Sequence, residues 1–507
     1  VAVKHLDRLL DNVREAFLVA QNEQRPVVLS VPMDLQKQAW PHLTDYTPSS
    51  DLLPVAQRPI PDPAIVDKVV DMIAEAEKPI LIAGRGAILS GAAAALEALA
   101  AQAGALTATS LLGKGLFDGK PYALDIAGAF ASDFSRERFA EADLVIGAGA
   151  ALGHYTTEGG YLYPGARTVQ IDVNPRGLWQ GLRTADLHVR ADARAAAEAI
   201  LNRLEQRGIR KTGFRTPEMA KLIAADTPDS KQYVPQPNTL DPRKMVVELD
   251  QVVPKDWEVV IGAGHYFSMA MTFMKGRPAE RYHVVNDFGA IGSALPAAIG
   301  IAAARNDGKV LLVEGDGSLM MHVQELETIR RQGIKMLMAI MNDGGYGAEV
   351  HKFRANGITE KEAVHGRGDL AAAATGFGLR GDRDLALGGR LEDLFEKLVR
   401  QLDVIDAVPG DPVQEQVPGI PKGIRLLGAG QVREDHRRLF ELPGAEITHT
   451  QSVKLGRREL LGNLERDAGH HPADLRPGLL TQLGRDFFRH DLRRLRAHAE
   501  LPFFELQ

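Results

Sequence analysis

Cysteine is absent from the 507 residues. That excludes a disulfide framework, a thiolate metal site and a cysteine nucleophile. No apolar run is long enough to cross a bilayer, and no signal peptide opens the chain. Neither sign of charge dominates: 60 basic residues against 66 acidic give a net charge of −6. A globally basic nucleic-acid binder is excluded on that ground. An initial methionine is also lacking; the chain starts at Val1, which reads as a missing start. A cytoplasmic enzyme with no nucleic-acid or membrane partner is the default expectation. Hydrophobic residues at 45 % and charged residues at 25 % are ordinary for a globular protein. At roughly 150 residues per domain, about three domains are expected.

Residues 1–40 read as one helix, with Leu6, Leu9, Leu10, Val13 and Phe17 at helical spacing, and one strand, Val27–Val31. One helix and one strand cannot form a core, so this segment must pack on something else. Residues 41–61 are rich in Pro, Ser, Thr and Asp and read as a linker. Residues 62–205 alternate helices with the apolar strands 79–83, 106–109, 144–146 and 168–173. Residues 206–241 are polar and contain prolines, which suggests a second linker. Residues 242–407 repeat the alternation, with strands at 259–261, 283–285, 310–313 and 336–341. Apolar strands separated by helices predict parallel sheets covered on both faces. The fold class is therefore α/β, with tandem doubly wound parallel-sheet domains and a remnant of a third.

Residues 408–507 break the rhythm. They hold 13 Arg against 2 Lys, whereas residues 1–407 hold 28 against 17. The shift suggests a separate origin for this atypical tail, such as translation in a shifted frame.

The chemistry concentrates in two clusters. Gly315-Asp316-Gly317-Ser318 follows one predicted strand, and Asn342-Asp343-Gly344-Gly345-Tyr346-Gly347 follows the next. Both lie at carboxyl ends of strands, the edge where open α/β sheets bind ligands. Mg2+ wants six oxygens and seldom takes an all-protein cage. Asp316 and Asp343 each offer a side-chain oxygen, and the Gly345 carbonyl can reach the same point. The N–H groups of Gly317 and Ser318 open a helix and suit a diphosphate. Solvated aspartates in tight turns are the competing reading of either cluster alone; the pair at this spacing argues for a magnesium diphosphate site.

With these residues in view, the chain resembles the thiamine diphosphate enzymes of the acetolactate synthase, benzoylformate decarboxylase and pyruvate decarboxylase group. Their signature is G-D-G followed some two dozen residues later by N-N; Asp343 stands here for the second Asn. The resemblance covers about residues 1–407 and is most specific at 258–353. It implies thiamine diphosphate and Mg2+ as cofactors, with Asp316, Asp343 and the Gly345 carbonyl on the metal. Asp287 to Gly300 looks like a second family segment. By resemblance, Ile291 is the apolar wedge under the bent cofactor and the Gly289 carbonyl accepts from its amino group. Gly262-Ala263-Gly264-His265-Tyr266 resembles the loop that meets the diphosphate from the other side, which puts Gly262 and His265 beside it with Gly315, Gly317, Ser318 and Tyr346. Glu349 stands where decarboxylase relatives place a carboxylate facing the reaction centre. His351 is its neighbour candidate, and a solvated Glu349 near Lys352 is the plain alternative.

The resemblance implies a small 2-oxo acid as substrate and carboligation or decarboxylation as the reaction. It also implies a homo-oligomer, dimer or tetramer, or a partner subunit supplying a pyrimidine-binding domain. Residues 1–40 resemble only the end of that domain, and none of them matches the family glutamate that activates the cofactor. The chain is thus expected to be N-terminally truncated and impaired, and an inactive remnant or non-catalytic subunit is the alternative function. Residues 62–205 resemble the family's central domain, through Ile80 to Gly86 and Gln170 to Pro175. The arginine- and aspartate-bearing segment that helps bind FAD in acetolactate synthases is replaced by Gly147-Ala148-Gly149-Ala150-Ala151-Leu152-Gly153-His154. That speaks against FAD. A dinucleotide-binding dehydrogenase predicts G-x-G-x-x-G after a first strand with an acidic residue about 20 positions on, and no such arrangement is found.

Overall fold

The computed structural model describes residues 1–23, 25–39, 57–174, 185–229, 231–234 and 239–381. Most of the first expected linker, residues 382–407 and the whole tail lie outside them.

Six strands form the first sheet: β1 Pro79–Ala83, β2 Leu106–Thr109, β3 Ala123–Ile126, β4 Leu144–Ala148, β5 Arg167–Asp172 and β6 Leu187–Arg190. Their order is β3-β2-β1-β4-β5-β6, and the pairings run parallel throughout. β1 and β4 are buried at every position, which explains their unbroken apolar runs. β3 and β6 were missed by the sequence reading. They are the two sheet edges, shorter and partly exposed, so they carry no such run.

The second sheet has β7 Glu258–Gly262, β8 Tyr282–Val285, β9 Val310–Gly315 and β10 Leu337–Met341. Its order is β10-β9-β7-β8, again parallel. One face packs on a cluster including Val246, Leu249, Phe267 and Met271. The other packs on Leu295, Ala298, Leu326 and Ile329. Between the two acidic clusters lies helix Glu325–Gln332, with Leu326 and Ile329 buried. Gly333 stops it in the left-handed region at φ +62.

Two expectations are corrected. The run Val27–Val31 is not a strand: Ser30 forms only an isolated bridge to Ala2, and Val28 is 78 % exposed. A strand needs a neighbour with free backbone groups, and among the described residues the run's backbone–backbone hydrogen bonds go to Val1 and Val3 alone. The preceding helix, Leu9–Glu23, is as expected, but it buries none of its residues. Within the second expected linker, Pro217–Ala225 is a helix whose Met219 and Ile223 pack on the first domain's core. Pro217 occupies the first helical turn, and the Thr216 hydroxyl caps the helix by accepting from the Met219 N–H. Pro63 and Pro242 begin helices in the same way after Asp62 and Asp241.

The two domains meet through polar and apolar contacts. Lys275 Nζ donates to Asp125 at 2.5 Å, and the Gly276 N–H donates to Asp118 at 2.8 Å. Ile126 joins the core of the second domain. Among the described residues no helix is long and apolar enough to cross a membrane.

Candidate functional site

β9 and β10 pair in register, with Gly315 beside Met341, so the turns that follow them leave the sheet side by side. Asp316 comes directly after β9 and is 3 % exposed. Its Oδ2 accepts the Gly344 N–H from the neighbouring turn at 2.8 Å. The Asp343 carboxyl lies within hydrogen-bonding reach of it. The two acids thus converge on one point. Burial pushes the Asp316 carboxyl above its ordinary range, and the charge of Asp343 adds to the effect. Burial acts upward on Asp343 too, but the nearby His265 and the bond from the Gly345 N–H outweigh it and leave this carboxyl lowered. His265 Nδ1 stands 3.8 Å from Asp343 Oδ2. Two like charges in contact, one of them buried, form an arrangement that a divalent cation relieves. No group of three or more His, Asp or Glu side chains that could cage a metal occurs among the described residues. Mg2+ needs none where diphosphate, backbone and water oxygens complete its shell.

The structure adds a segment that sequence reasoning missed. Residues 363–368 fold over the second turn: the N–H groups of His365 and Gly366 donate to Gly344 O at 3.0 and 2.8 Å. The Tyr346 N–H donates to Ala363 O at 2.8 Å, and Gly345 bridges Val364. His365 thereby brings Nε2 to 3.8 Å from Asp316 Oδ2 and its ring to 5.5 Å from that of Tyr346. The only trace in sequence is the pair of glycines around Arg367.

The other assigned residues surround this centre. A Cβ on Gly262 would stand 2.6 Å from the Tyr266 hydroxyl, and one on Gly315 2.9 Å from the Tyr266 ring. One on Gly317 would stand 2.7 Å from the Tyr346 ring. These glycines make room for two aromatic side chains over the turns. The Ser318 hydroxyl accepts the Gly292 N–H at 2.6 Å, which joins the first turn to the loop carrying Gly289 and Ile291. Gly289 is exposed at φ +67 with nothing within 4 Å of a Cβ position; Ile291 is half-buried. The second turn runs into helix Gly347–Ala355, which carries Glu349 and His351. The His351 ring meets that of His265 edge-on at 4.8 Å. Burial, then the charge of His265, lowers its pKa. Glu349 turns to its own helix and accepts from Lys352 at 3.2 Å.

At the carboxyl edge of the first sheet, glycines serve packing. A Cβ on Gly84 would stand 2.3 Å from Gly149 O, one on Gly86 2.8 Å from Gly149 Cα, and one on Gly113 2.3 Å from Ala83 O. The sequence Gly84-Arg85-Gly86 is explained by this loop-on-loop contact without a nucleotide.

Residues 66–200 match the central domain of thiamine pyrophosphate enzymes, and residues 262–406 match their C-terminal TPP binding domain. Together the two matches span more than half of the chain. The chain belongs to the thiamine pyrophosphate enzyme family. Both acidic turns fall inside the TPP-binding match. Among relatives, a probable acetolactate synthase large subunit of Methanocaldococcus jannaschii is 26 % identical over 440 residues, covering 85 % of this chain and 74 % of the relative. A putative acetolactate synthase large subunit of Mycobacterium tuberculosis is 26 % identical over 390 residues, covering 76 % and 69 %. The benzoylformate decarboxylase structure from Polynucleobacter necessarius shares the fold, with a TM-score of 0.62 at 18 % identity over 80 % of this chain and 73 % of that one.

Proposed function

We propose that the paired acidic turns hold Mg2+ and the diphosphate of thiamine diphosphate, and that the chain serves a cytoplasmic carboligase of the acetolactate synthase kind or a decarboxylase, acting on 2-oxo acids. The observation that carries this reading is the convergence of Asp316 and Asp343, locked by the bond from the Gly344 N–H to Asp316. Asp316, Asp343 and the Gly345 carbonyl take the metal. The N–H groups of Gly317 and Ser318 face the diphosphate from the helix start, with Gly262, His265, Gly315 and Tyr346 around it. When bound, thiamine diphosphate supplies the electron sink that lets a carbon–carbon bond beside a carbonyl break. Gly289 and Ile291 would hold its ring end. Glu349 and His351 are the groups placed to hold or pass a proton, Glu349 once it parts from Lys352. FAD has no part in the reading. The working assembly is a homo-oligomer or a complex with a subunit supplying a pyrimidine-binding domain; the unburied apolar side of helix Leu9–Glu23 supports such a contact.

Calorimetric titration of thiamine diphosphate, with and without Mg2+, tests the site. Metal-dependent binding that Asp316→Ala abolishes is expected. Binding that ignores both Mg2+ and Asp316 overturns the reading.

A further inference from the structure

Glu314 precedes the first acidic turn at the end of β9 and has no exposed surface. None of the roles above uses it, yet a carboxyl buried that deeply is costly unless it is bonded. Its one hydrogen-bond partner comes from a separate loop. The Tyr266 hydroxyl donates to Glu314 Oε1 at 2.6 Å, while Glu314 Oε2 is buried without a partner. Glu314 therefore ties the loop after β7 (262–266) to the turn after β9 (315–318), and Ser318 of that turn accepts the Gly292 N–H from the loop after β8 (286–292) at 2.6 Å. The sheet order β9-β7-β8 makes these loops neighbours along one edge. Glycine at 262 lets the network close, since a Cβ there would stand 2.8 Å from Glu314 Oε1.

We propose that Glu314 is a positioning residue whose buried carboxyl, acting through Tyr266, holds the loop after β7 against the diphosphate-facing turn after β9 before the cofactor arrives. The proposal rests on the cofactor reading above. Its physical content is preorganisation: donors already fixed in place lose less freedom when the ligand binds.

Hydrogen–deuterium exchange on the full chain tests this, comparing the wild type with Glu314→Leu, Glu314→Gln and Tyr266→Phe. Glu314→Leu is expected to speed exchange about tenfold in segment 260–267 while leaving 337–341 unchanged, as loss of one buried hydrogen bond implies. Glu314→Gln keeps an acceptor for Tyr266 and should restore most of the protection in 260–267. Tyr266→Phe removes a single hydroxyl and should loosen 260–267 alone. Calorimetry with inorganic pyrophosphate and with thiamine diphosphate, each with Mg2+, should show affinity lowered about tenfold in Glu314→Leu, the same lost bond read as binding. Unchanged exchange in 260–267, or acceleration spread evenly through the second sheet, overturns the positioning role. A wild type that binds no thiamine diphosphate defeats the cofactor reading instead, and the exchange result still decides whether Glu314 orders the loop after β7.

Discussion

Replacing Asp343 by Asn probes the carboxylate pair directly. Asn keeps a side-chain oxygen for a cation and for the Gly345 N–H, now 3.3 Å from Asp343 Oδ1, but removes one of two charges in contact. Two unit charges about 4 Å apart repel by roughly 1 kcal/mol in water and roughly 4 kcal/mol at an effective dielectric of 20. Asp316 is buried and Asp343 half-exposed, so the repulsion lies between those limits. Against it stands the lost attraction to His265, 3.8 Å away and partly solvated, worth at most about 1 kcal/mol. The metal-free variant should therefore be more stable by about 1–3 kcal/mol, a rise in melting temperature of roughly 2–4 °C per kcal/mol for a domain of this size. Mg2+ should stabilise the wild type more than the variant, because in the wild type it also cancels the repulsion. Thermal unfolding in chelator and in excess Mg2+ reads both effects. A variant no more stable than wild type in chelator, with an equal response to Mg2+, refutes the idea that the two charges share one cation site.

Two further outcomes follow from the seam between the sheets and its surroundings. Lys114 is buried there, its ammonium 4.9 Å from the centre of the Tyr282 ring, and burial lowers its pKa to about 8. Because the folded value lies below the unfolded one, the cost to stability is full below pH 8 and fades between pH 8 and pH 10.5. Lys114→Met should gain up to about 3 kcal/mol in urea unfolding at pH 7 and little near pH 10.5; an equal gain at both values would show that packing, not charge, is responsible. Arg277 has a fully buried side chain, pairs with Asp250 and donates to Val253 O at 2.8 Å. Arg277→Met leaves Asp250 short of its partner and should cost about 3–5 kcal/mol; a cost below 1 kcal/mol would show that Lys255, which donates to Asp250 at 2.7 Å, suffices.

Sequence was most legible where burial is symmetric. Central parallel strands are covered on both faces, so β1, β4, β7 and β9 read as continuous apolar runs. The acidic turns were legible for a related reason: a charge directly after such a run must sit at the sheet's edge. β3 and β6 were hidden because an edge strand needs no second apolar face. The helix Pro217–Ala225 was hidden because proline marks a break in one context and a helix start in another, and only the Thr216 cap decides between them. His365 and Glu314 were hidden for a deeper reason. Each reaches the site through a contact between segments far apart in the chain, and neither residue sits in a pattern that announces it. Glu314 in particular reads as one polar residue in an apolar strand, and only Tyr266 folding back over Gly262 and Gly315 gives it a partner.

Glycine carries the same ambiguity in its most testable form, because a missing side chain can make room for a ligand or for the protein itself. Gly149 has φ +58, and a Cβ there would stand 2.4 Å from Ala87 N, in backbone that cannot yield. Gly289 has a similar φ of +67, but a Cβ there meets nothing within 4 Å. Both substitutions to alanine share the left-handed backbone penalty of roughly 1–2 kcal/mol. Only Gly149→Ala adds a clash, and it should lower the stability of the first domain by several kcal/mol in total. Gly289→Ala should cost no more than the shared penalty, yet its new methyl group enters the space assigned to the cofactor, so thiamine diphosphate affinity should fall while stability nearly holds. Thermal unfolding and calorimetry on the two variants separate the cases. If Gly289→Ala binds thiamine diphosphate as the wild type does, the open space above Gly289 belongs to a turn and not to a ligand, and the wedge loop must be placed elsewhere.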